Sequence, residues 1–386
     1  MRVLRKFQPD IIGITGSVGK TSAKDAIYEV LRTKFHVGKS VKSYNDELGL
    51  PLSILGTAPS GSILVWSANL FRAFARVFFS TKYYEKLVLE MGANKKGDLQ
   101  YLVSIAPPHI AVVTNVAPAH LEFFGDLDGV YQEKSTLVKG LSEKDVAVLN
   151  YDDPRVKKMA GETKAKILFF SASSEVDVWA NKIKASLDGL SFTLHYDNEK
   201  TEVFMKVIEK RMVYSALAAT ACGVIYGMDL QSIAKALEKY EPPKGRANLV
   251  KGIKKTIIID DTYNANPESM SAALSTLNDI ARDFPKSRRV VALGDMREMG
   301  ETAENFHREL GKSLKSKVDL VVAVGPMATY IYEEAKKFLP ENSWYFTDSV
   351  SAAKAVGSLM VDNDIILVKG SRGIEMERIV ERISNS

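Results

Sequence analysis

The sequence predicts an α/β protein built from two successive, mainly parallel sheets, and three observations predict it. An apolar run, Ile11-Ile12-Gly13-Ile14, leads through a glycine-rich turn into a helix with apolar positions Ile27, Val30 and Leu31. After a break at Glu241-Pro242-Pro243-Lys244-Gly245-Arg246, short apolar runs alternate with helical patterns. Between the two, Phe192, Leu194 and Tyr196 alternate with Thr193 and His195, and Val203, Met205 and Val207 alternate later. That period of two, between roughly 165 and 208, marks a small antiparallel subsheet.

The first turn carries the strongest chemical signal. Gly16-Ser17-Val18-Gly19-Lys20-Thr21-Ser22 puts Gly-Lys-Thr at a helix start, directly after a buried strand. In that context a glycine-rich turn cradles phosphate. Glycines let successive N–H groups converge on one anion, and the helix N-terminus adds its own unpaired N–H groups. Lys20 is placed to reach the outer phosphates, and the Thr21 hydroxyl to ligate Mg²⁺. The spacing departs from G-x-x-x-x-G-K-[ST], because Ile14 stands five residues before Gly19. The plain alternative is a glycine-rich turn without a ligand.

Composition narrows the classes. The chain has 386 residues, enough for two or three domains. With 46% hydrophobic and 26% charged residues it is an ordinary soluble globular protein. A net charge of +5 without a long basic run weakly favours small anionic substrates and weighs against nucleic acid. Cys222 is the single cysteine, so no internal disulfide forms, which fits a reducing, cytoplasmic compartment. Its Ala-rich helical setting predicts a buried thiol. Met1 to Asp10 is basic without an apolar h-region, so no signal peptide is expected, and no stretch has the length of a spanning helix. The first strand starts so early that no folded domain is expected ahead of it.

The remaining elements follow in order. Leu64 to Phe79 is apolar but carries Arg72 and Arg76 on one helix face, predicting a helical insert at about 62–84. It reads either as a hairpin packed on the domain or as an interfacial helix whose arginines and Lys82 face lipid headgroups. Leu87-Val88-Leu89-Glu90 is a strand ending in an acid, and an acid there beside a phosphate loop serves a metal ion. The alternative is a solvated strand-end glutamate. Ile110 to Thr114 is a strand followed shortly by His120. A lone histidine is usually structural, but one after a strand end sits where ligand sites gather in open sheets. A helix from about Asp128 to Gly140 carries Lys134, which by itself reads as a surface lysine. Helices are expected at about 211–227 and 230–239. The Pro-Pro-Lys-Gly stretch then divides the chain into 1–244 and 245–386.

In the second part, strands are expected at Thr256–Asp260, Val290–Leu293, Leu320–Val324 and Ile365–Val368. Helices are expected near 267–282, 302–315, 327–338, 349–360 and 374–384. Strand ends carry Asp260-Asp261-Thr262-Tyr263-Asn264-Ala265-Asn266, Gly294-Asp295-Met296 and Lys369-Gly370-Ser371-Arg372. Three polar clusters at carboxyl ends predict one ligand-binding edge.

Together with Asn45-Asp46-Glu47-Leu48-Gly49-Leu50-Pro51, Leu89-Glu90-Met91-Gly92-Ala93-Asn94, Thr114-Asn115, Ala119-His120-Leu121-Glu122 and Gly245-Arg246, these motifs occur in one order. From about Ile11 to Ile383 the sequence resembles the Mur ligases, ATP-dependent enzymes that add amino acids in peptidoglycan synthesis. Within that family it is most similar to the members that add D-alanyl-D-alanine.

The resemblance implies a P-loop ATPase domain followed by a Rossmann-like C-terminal domain. It implies ATP held by Gly16, Ser17, Val18, Gly19, Lys20, Thr21 and Ser22, with Asn45, Arg246, Asp261, Asn264 and Asn266 also on the nucleotide. Arg246 would reach the phosphates and Asp261 the ribose. Thr21 and Glu90 would serve one Mg²⁺ and His120 a second, with Lys134 carried as a CO₂-derived carbamate. Lys20, His120 and Lys134 would be catalytic, and Asp295, Ser371 and Arg372 would meet substrate. The implied substrates are a UDP-muramoyl peptide and D-Ala-D-Ala, joined by a cytoplasmic monomer through an acyl phosphate.

Two departures stand out. The family carries an N-terminal domain that grips the UDP-sugar, and these residues contain no counterpart. Its His-Asn-x-x-Asn before an Ala-rich helix reads here Arg211-Met212-Val213-Tyr214-Ser215, so Ser215 replaces an asparagine that helps hold adenine. A ligase acting on another carboxylate, as in folate or cyanophycin ligases, and a P-loop ATPase switch without ligation are the alternatives.

Overall fold

Runs of Ile, Val and Leu without polar alternation make strands buried on both faces, and they build the centre of each sheet. The computed structural model of the protein describes residues 2–40, 49–57, 67, 68, 71, 72, 74, 78 and 80–385. Its first sheet comprises β1 (Asp10–Thr15), β2 (Val37–Lys39), β3 (Lys86–Glu90), β4 (Ile110–Val113), β5 (Val146–Asn150), β6 (Lys166–Ser171), β7 (Val178–Ala185), β8 (Leu190–Tyr196) and β9 (Glu199–Met205). Their order is β2-β3-β1-β4-β5-β6-β7-β8-β9. Pairings from β2 to β7 are parallel, and β7 with β8 and β8 with β9 are antiparallel. The period-two stretch is thus the antiparallel end of the same sheet, hydrogen-bonded to its parallel part.

Two apolar layers cover this sheet. On one face, Ile12 and Ile14 pack with Ile27 and Val30 of the helix Lys20–Leu31 and with the helix Met212–Ile225. Ala216, Ala218, Ala219 and Ala221 keep that second helix slim enough to lie against the first. Gly223 packs closely there, because a Cβ would stand 2.8 Å from Ile233 Cδ1 and displace that side chain. Cys222 is buried in this layer, and burial pushes its thiol pKa up. On the other face, Leu50, Leu87, Leu89 and Leu137 form the second layer. The helix carrying the Gly-Lys-Thr start is therefore clamped along its length.

The second sheet comprises β10 (Asn248–Lys251), β11 (Ile257–Asp261), β12 (Arg289–Gly294), β13 (Leu320–Val324), β14 (Ser343–Phe346) and β15 (Ile365–Lys369). Their order is β10-β11-β15-β12-β13-β14, with only β10 antiparallel to its neighbour. The helix Pro267–Ala281 starts on a capping box between Asn266 and Ser269 with Pro267 in its first turn. Asp261 and Lys369 are register partners on β11 and β15, which brings two of the polar clusters together.

The insert departs from simple packing. At its described positions Phe71, Phe74 and Phe78 are 72%, 52% and 49% exposed. The rings of Phe74 and Phe78 lie 4.5 Å apart. Trp66, Arg76 and Phe79 lie outside the described residues. Among the described residues no helix is long and apolar enough to cross a membrane.

Candidate active site

The glycine-rich turn is built against the end of β4. Gly16 has φ +148° and Gly19 φ +84°. A Cβ on Gly16 would sit 1.9 Å from Thr114 Oγ1, so only glycine fits. Thr114 Oγ1 donates to Val18 O at 2.6 Å, and the Val18 N–H donates to Asn115 Oδ1 at 2.8 Å. Ser17 N–H donates to Asn115 O at 3.0 Å, and Ser17 Oγ to Ala117 O at 2.8 Å. The unusual glycine spacing now has a physical reason. Gly13 serves packing inside β1, where a Cβ would meet Met91, Pro108 and Leu137 at 3.2–3.3 Å.

Cations and one carboxylate converge on the turn. Lys20 Nζ donates to Gly16 O at 2.7 Å, folding back over the loop. Burial pulls its pKa down, Glu90 works against that, and Arg246 adds to it. Thr21 Oγ1 donates to Glu90 Oε2 at 2.9 Å. From the far side Arg246 Nη2 donates to Thr21 Oγ1 at 3.3 Å, its guanidinium held 4.1 Å from the Tyr263 ring centroid. Lys24, one turn after Lys20 and buried, lies 4.0 Å from Glu90 and 3.6 Å from Asp25.

A cavity of about 240 Å³ opens over this point. Ser17 to Ser22, Glu90 and His120 line it from the first sheet, and Arg246, Asp261, Asn264 and Asn266 from the second. Lys369 joins them, its Nζ 2.6 Å from Asp261 Oδ2 and donating to Asn264 O at 2.8 Å. Ser215 lines the cavity too, at the start of the helix Met212–Ile225. A second cavity of about 400 Å³ adjoins it and shares Arg211 and Tyr214 as a wall. Asn45 lies outside the described residues.

Lys134 stands behind the cavity rather than in it. It is 2% exposed and, among the described residues, forms no ion pair or hydrogen bond. Burial pulls its pKa down to about 7, Lys20 pushes the same way, and Glu133 opposes. Glu133 is committed elsewhere, accepting the Gly97 and Leu99 N–H groups at 2.8 Å each. The surface reading of this lysine is overturned by its burial.

Asp295, Ser371 and Arg372, expected at substrate, lie outside the cavity. Asp295 is buried and accepts the Ala328 N–H at 2.7 Å, and burial raises its pKa. Ser371 Oγ accepts the Arg297 N–H at 2.9 Å. Arg372 is exposed and pairs with Glu377 at 2.9 Å. As placed, the first two tie together the ends of β12, β13 and β15. A polar residue after a strand serves a backbone amide as readily as a ligand.

His120 sits at φ +54°, with its Nδ1 2.6 Å from Glu298 Oε2, itself at φ +61°. The atoms are close but not aligned as a hydrogen bond. His120 holds Glu298 below the usual carboxylate range. Among the described residues no three His, Cys, Asp or Glu side chains gather as a metal site. Mg²⁺ asks for less, commonly one or two carboxylates with phosphate and water oxygens. A Thr21 hydroxyl against a Glu90 carboxylate at the phosphate cradle fits that donor set.

A phosphate cradle on one sheet, capped by an arginine and an Asp–Lys pair from a second sheet, defines a two-domain P-loop nucleotide-dependent enzyme. The Mur ligase middle domain matches residues 14–223, and the Mur ligase glutamate ligase domain matches residues 245–372. The chain belongs to the Mur ligase family. It is 30% identical to the UDP-N-acetylmuramoyl-tripeptide–D-alanyl-D-alanine ligase of Bacillus subtilis, over 99% of this chain and 78% of that protein. The crystal structure of MurF from Acinetobacter baumannii superposes with a TM-score of 0.84 at 27% identity, covering 98% of this chain and 77% of that one. The MurF ligase of Thermotoga maritima in complex with ADP gives 0.81 at 26% identity, covering 99% and 81%.

Proposed function

We propose that the chain is an ATP-dependent, ADP-forming ligase that joins D-alanyl-D-alanine to a UDP-muramoyl peptide in peptidoglycan precursor synthesis. The observation that carries this reading is the meeting of Lys20, Thr21, Glu90 and Arg246 at one phosphate cradle. The names of the relatives supply the substrates. In this reading an acceptor carboxylate oxygen attacks the γ-phosphorus, the bond to the β-phosphate oxygen breaks, and ADP leaves. The amine of D-alanyl-D-alanine then attacks the acyl carbon, loses a proton, and inorganic phosphate departs.

Two anions must approach each other in the first step. Fixed positive charge at the transferring group lowers that barrier. Lys20 supplies it from the loop and Arg246 from the second domain. Mg²⁺ held by Thr21 and Glu90 adds charge neutralisation when bound. The cavity's second-sheet side, with Asp261 near Lys369, is assigned to the ribose. His120 and Lys134 are assigned to a second ion. The chain divides at residues 244 and 245, acts as a monomer, and works in the cytoplasm.

Phosphate release with a UDP-muramoyl tripeptide should appear only when D-alanyl-D-alanine is also present. Release with a different carboxylate acceptor, and none with this one, would transfer the reading to another Mur-type ligase. Release that needs neither substrate would make the chain an ATPase switch.

A second reading concerns the insert, and the exposed Phe71, Phe74 and Phe78 beside the exposed Arg72 favour it. Aromatic side chains with basic neighbours suit the headgroup region of an anionic bilayer. The protein should co-sediment with anionic liposomes at low salt and less so at high salt. Replacing Arg72 and Arg76 by Glu should abolish co-sedimentation. No binding by the wild type at low salt would return the insert to an ordinary surface element.

A further inference from the structure

A line of contacts crosses from the second sheet to the phosphate loop. Glu268 stands in the first turn of the helix Pro267–Ala281, in the second domain. Its Oε2 accepts Asn115 Nδ2 at 2.7 Å, and its Oε1 pairs with Arg211. Asn115 and Arg211 both belong to the first domain. The other end of the Asn115 amide, Oδ1, accepts the Val18 N–H of the loop at 2.8 Å. Neither Glu268 nor its contact with Asn115 is used in the reaction derived above.

We propose that Glu268 is a positioning residue that couples the joining of the two domains to the shape of the phosphate loop. This rests on the reading of the loop as a nucleotide site. An asparagine amide has a donor end and an acceptor end. An ionised carboxylate only accepts, so Glu268 selects the orientation with Nδ2 toward itself. That orientation leaves Oδ1 facing the Val18 N–H. Turned over, the amide would set two acceptors together at Glu268 and two donors together at Val18.

The backbone of Val18 is then held on both sides, its carbonyl by Thr114 Oγ1 and its N–H by Asn115 Oδ1. The Thr114 contact lies within the first domain and survives domain separation. The selection at Asn115 does not, because Glu268 leaves with the second domain. Arg211 holds the carboxylate in place and offsets its charge beside an anion site. By linkage, a nucleotide that prefers the ordered loop also favours the joined domains.

The test is a double-mutant cycle on the full chain, read by equilibrium binding of Mg·ADP and by melting temperature. Glu268→Ala should weaken ADP binding about tenfold, as expected for one charge-assisted hydrogen bond. Glu268→Gln, which keeps an acceptor, should weaken it less. Asn115→Ala should also weaken it, and adding Glu268→Ala to Asn115→Ala should change affinity less than about twofold. A carboxylate that merely holds the domains together would give additive losses instead. Additive losses, or wild-type affinity in Glu268→Ala, would overturn the proposal. If Glu268→Ala melts far below the wild type, the cycle is run with Glu268→Gln and judged by the same criterion. A wild-type chain that binds no ADP would fail the nucleotide-site reading itself.

Discussion

Lys20→Ala should reduce ATP turnover by about 1,000-fold or more while leaving the fold in place. A cation fixed over the transferring phosphate acts mainly on the transition state, and loss of one such group commonly costs factors of this order. The fold should survive because Lys20 contributes little to it. Among the described residues its Nζ bonds only carbonyls of its own loop, at Gly16 and Ser17. The helix it opens is anchored further along by Ile27 and Val30. Alanine is also a good helix former, and its methyl removes a buried amine. Turnover by coupled ADP detection and a melting curve together decide the matter. Near-normal turnover in a folded Lys20→Ala chain would remove the phosphate-loop assignment.

Lys134→Ala should lose most ligase activity, for a different reason. A buried amine pulled down to about 7 is largely neutral above that pH. In the proposed reading this neutral amine would add to CO₂, forming an N–C bond and releasing a proton, so that two carboxylate-like oxygens would stand where a cation stood. Hard cations prefer such oxygens. The bare ammonium would sit in repulsive proximity to Lys20, whereas the carbamate would attract it. A small added carboxylate should therefore partly restore Lys134→Ala, and stripping CO₂ should slow the wild type. Isotopically labelled CO₂ should give a carbamate resonance that is absent from Lys134→Ala. Unchanged wild-type activity after thorough CO₂ removal, together with a fully active Lys134→Ala, would show the lysine to be a packing residue.

The phosphate loop was legible because its information is local. Strand, glycines, Lys20, Thr21 and helix follow one another without interruption. The alternation of strands and helices in the second half was legible for the same reason. What escaped depends on which strands lie side by side. Lys369 reaches Asp261 because β15 inserts next to β11, an order that no local pattern encodes. Glu268 reads as an ordinary first-turn acid until Asn115 is brought against it. Asp295 shows why a polar residue after a strand is ambiguous, because a buried acceptor for an amide and a ligand residue look alike there. β14 was missed because Ser343-Trp344-Tyr345-Phe346 is short and half exposed at a sheet edge. The helix Arg2–Phe7 was missed because only Val3 is fully buried along it.

The position of β15 also bears on how the protein comes into being. Of the fifteen strands among the described residues it emerges last from the ribosome, yet it lies inside its sheet, between β11 and β12. Until it arrives, both of those strands present an unpaired edge rich in apolar residues, among them Ile258, Ile259, Val290 and Val291. The nascent chain can thus finish its phosphate cradle early, while its second half waits with two adhesive edges open to other chains. A chain cut short before Ile365 would keep Lys20 and its helix but lose Lys369 opposite Asp261. Such a fragment would be prone to clump rather than to catalyse.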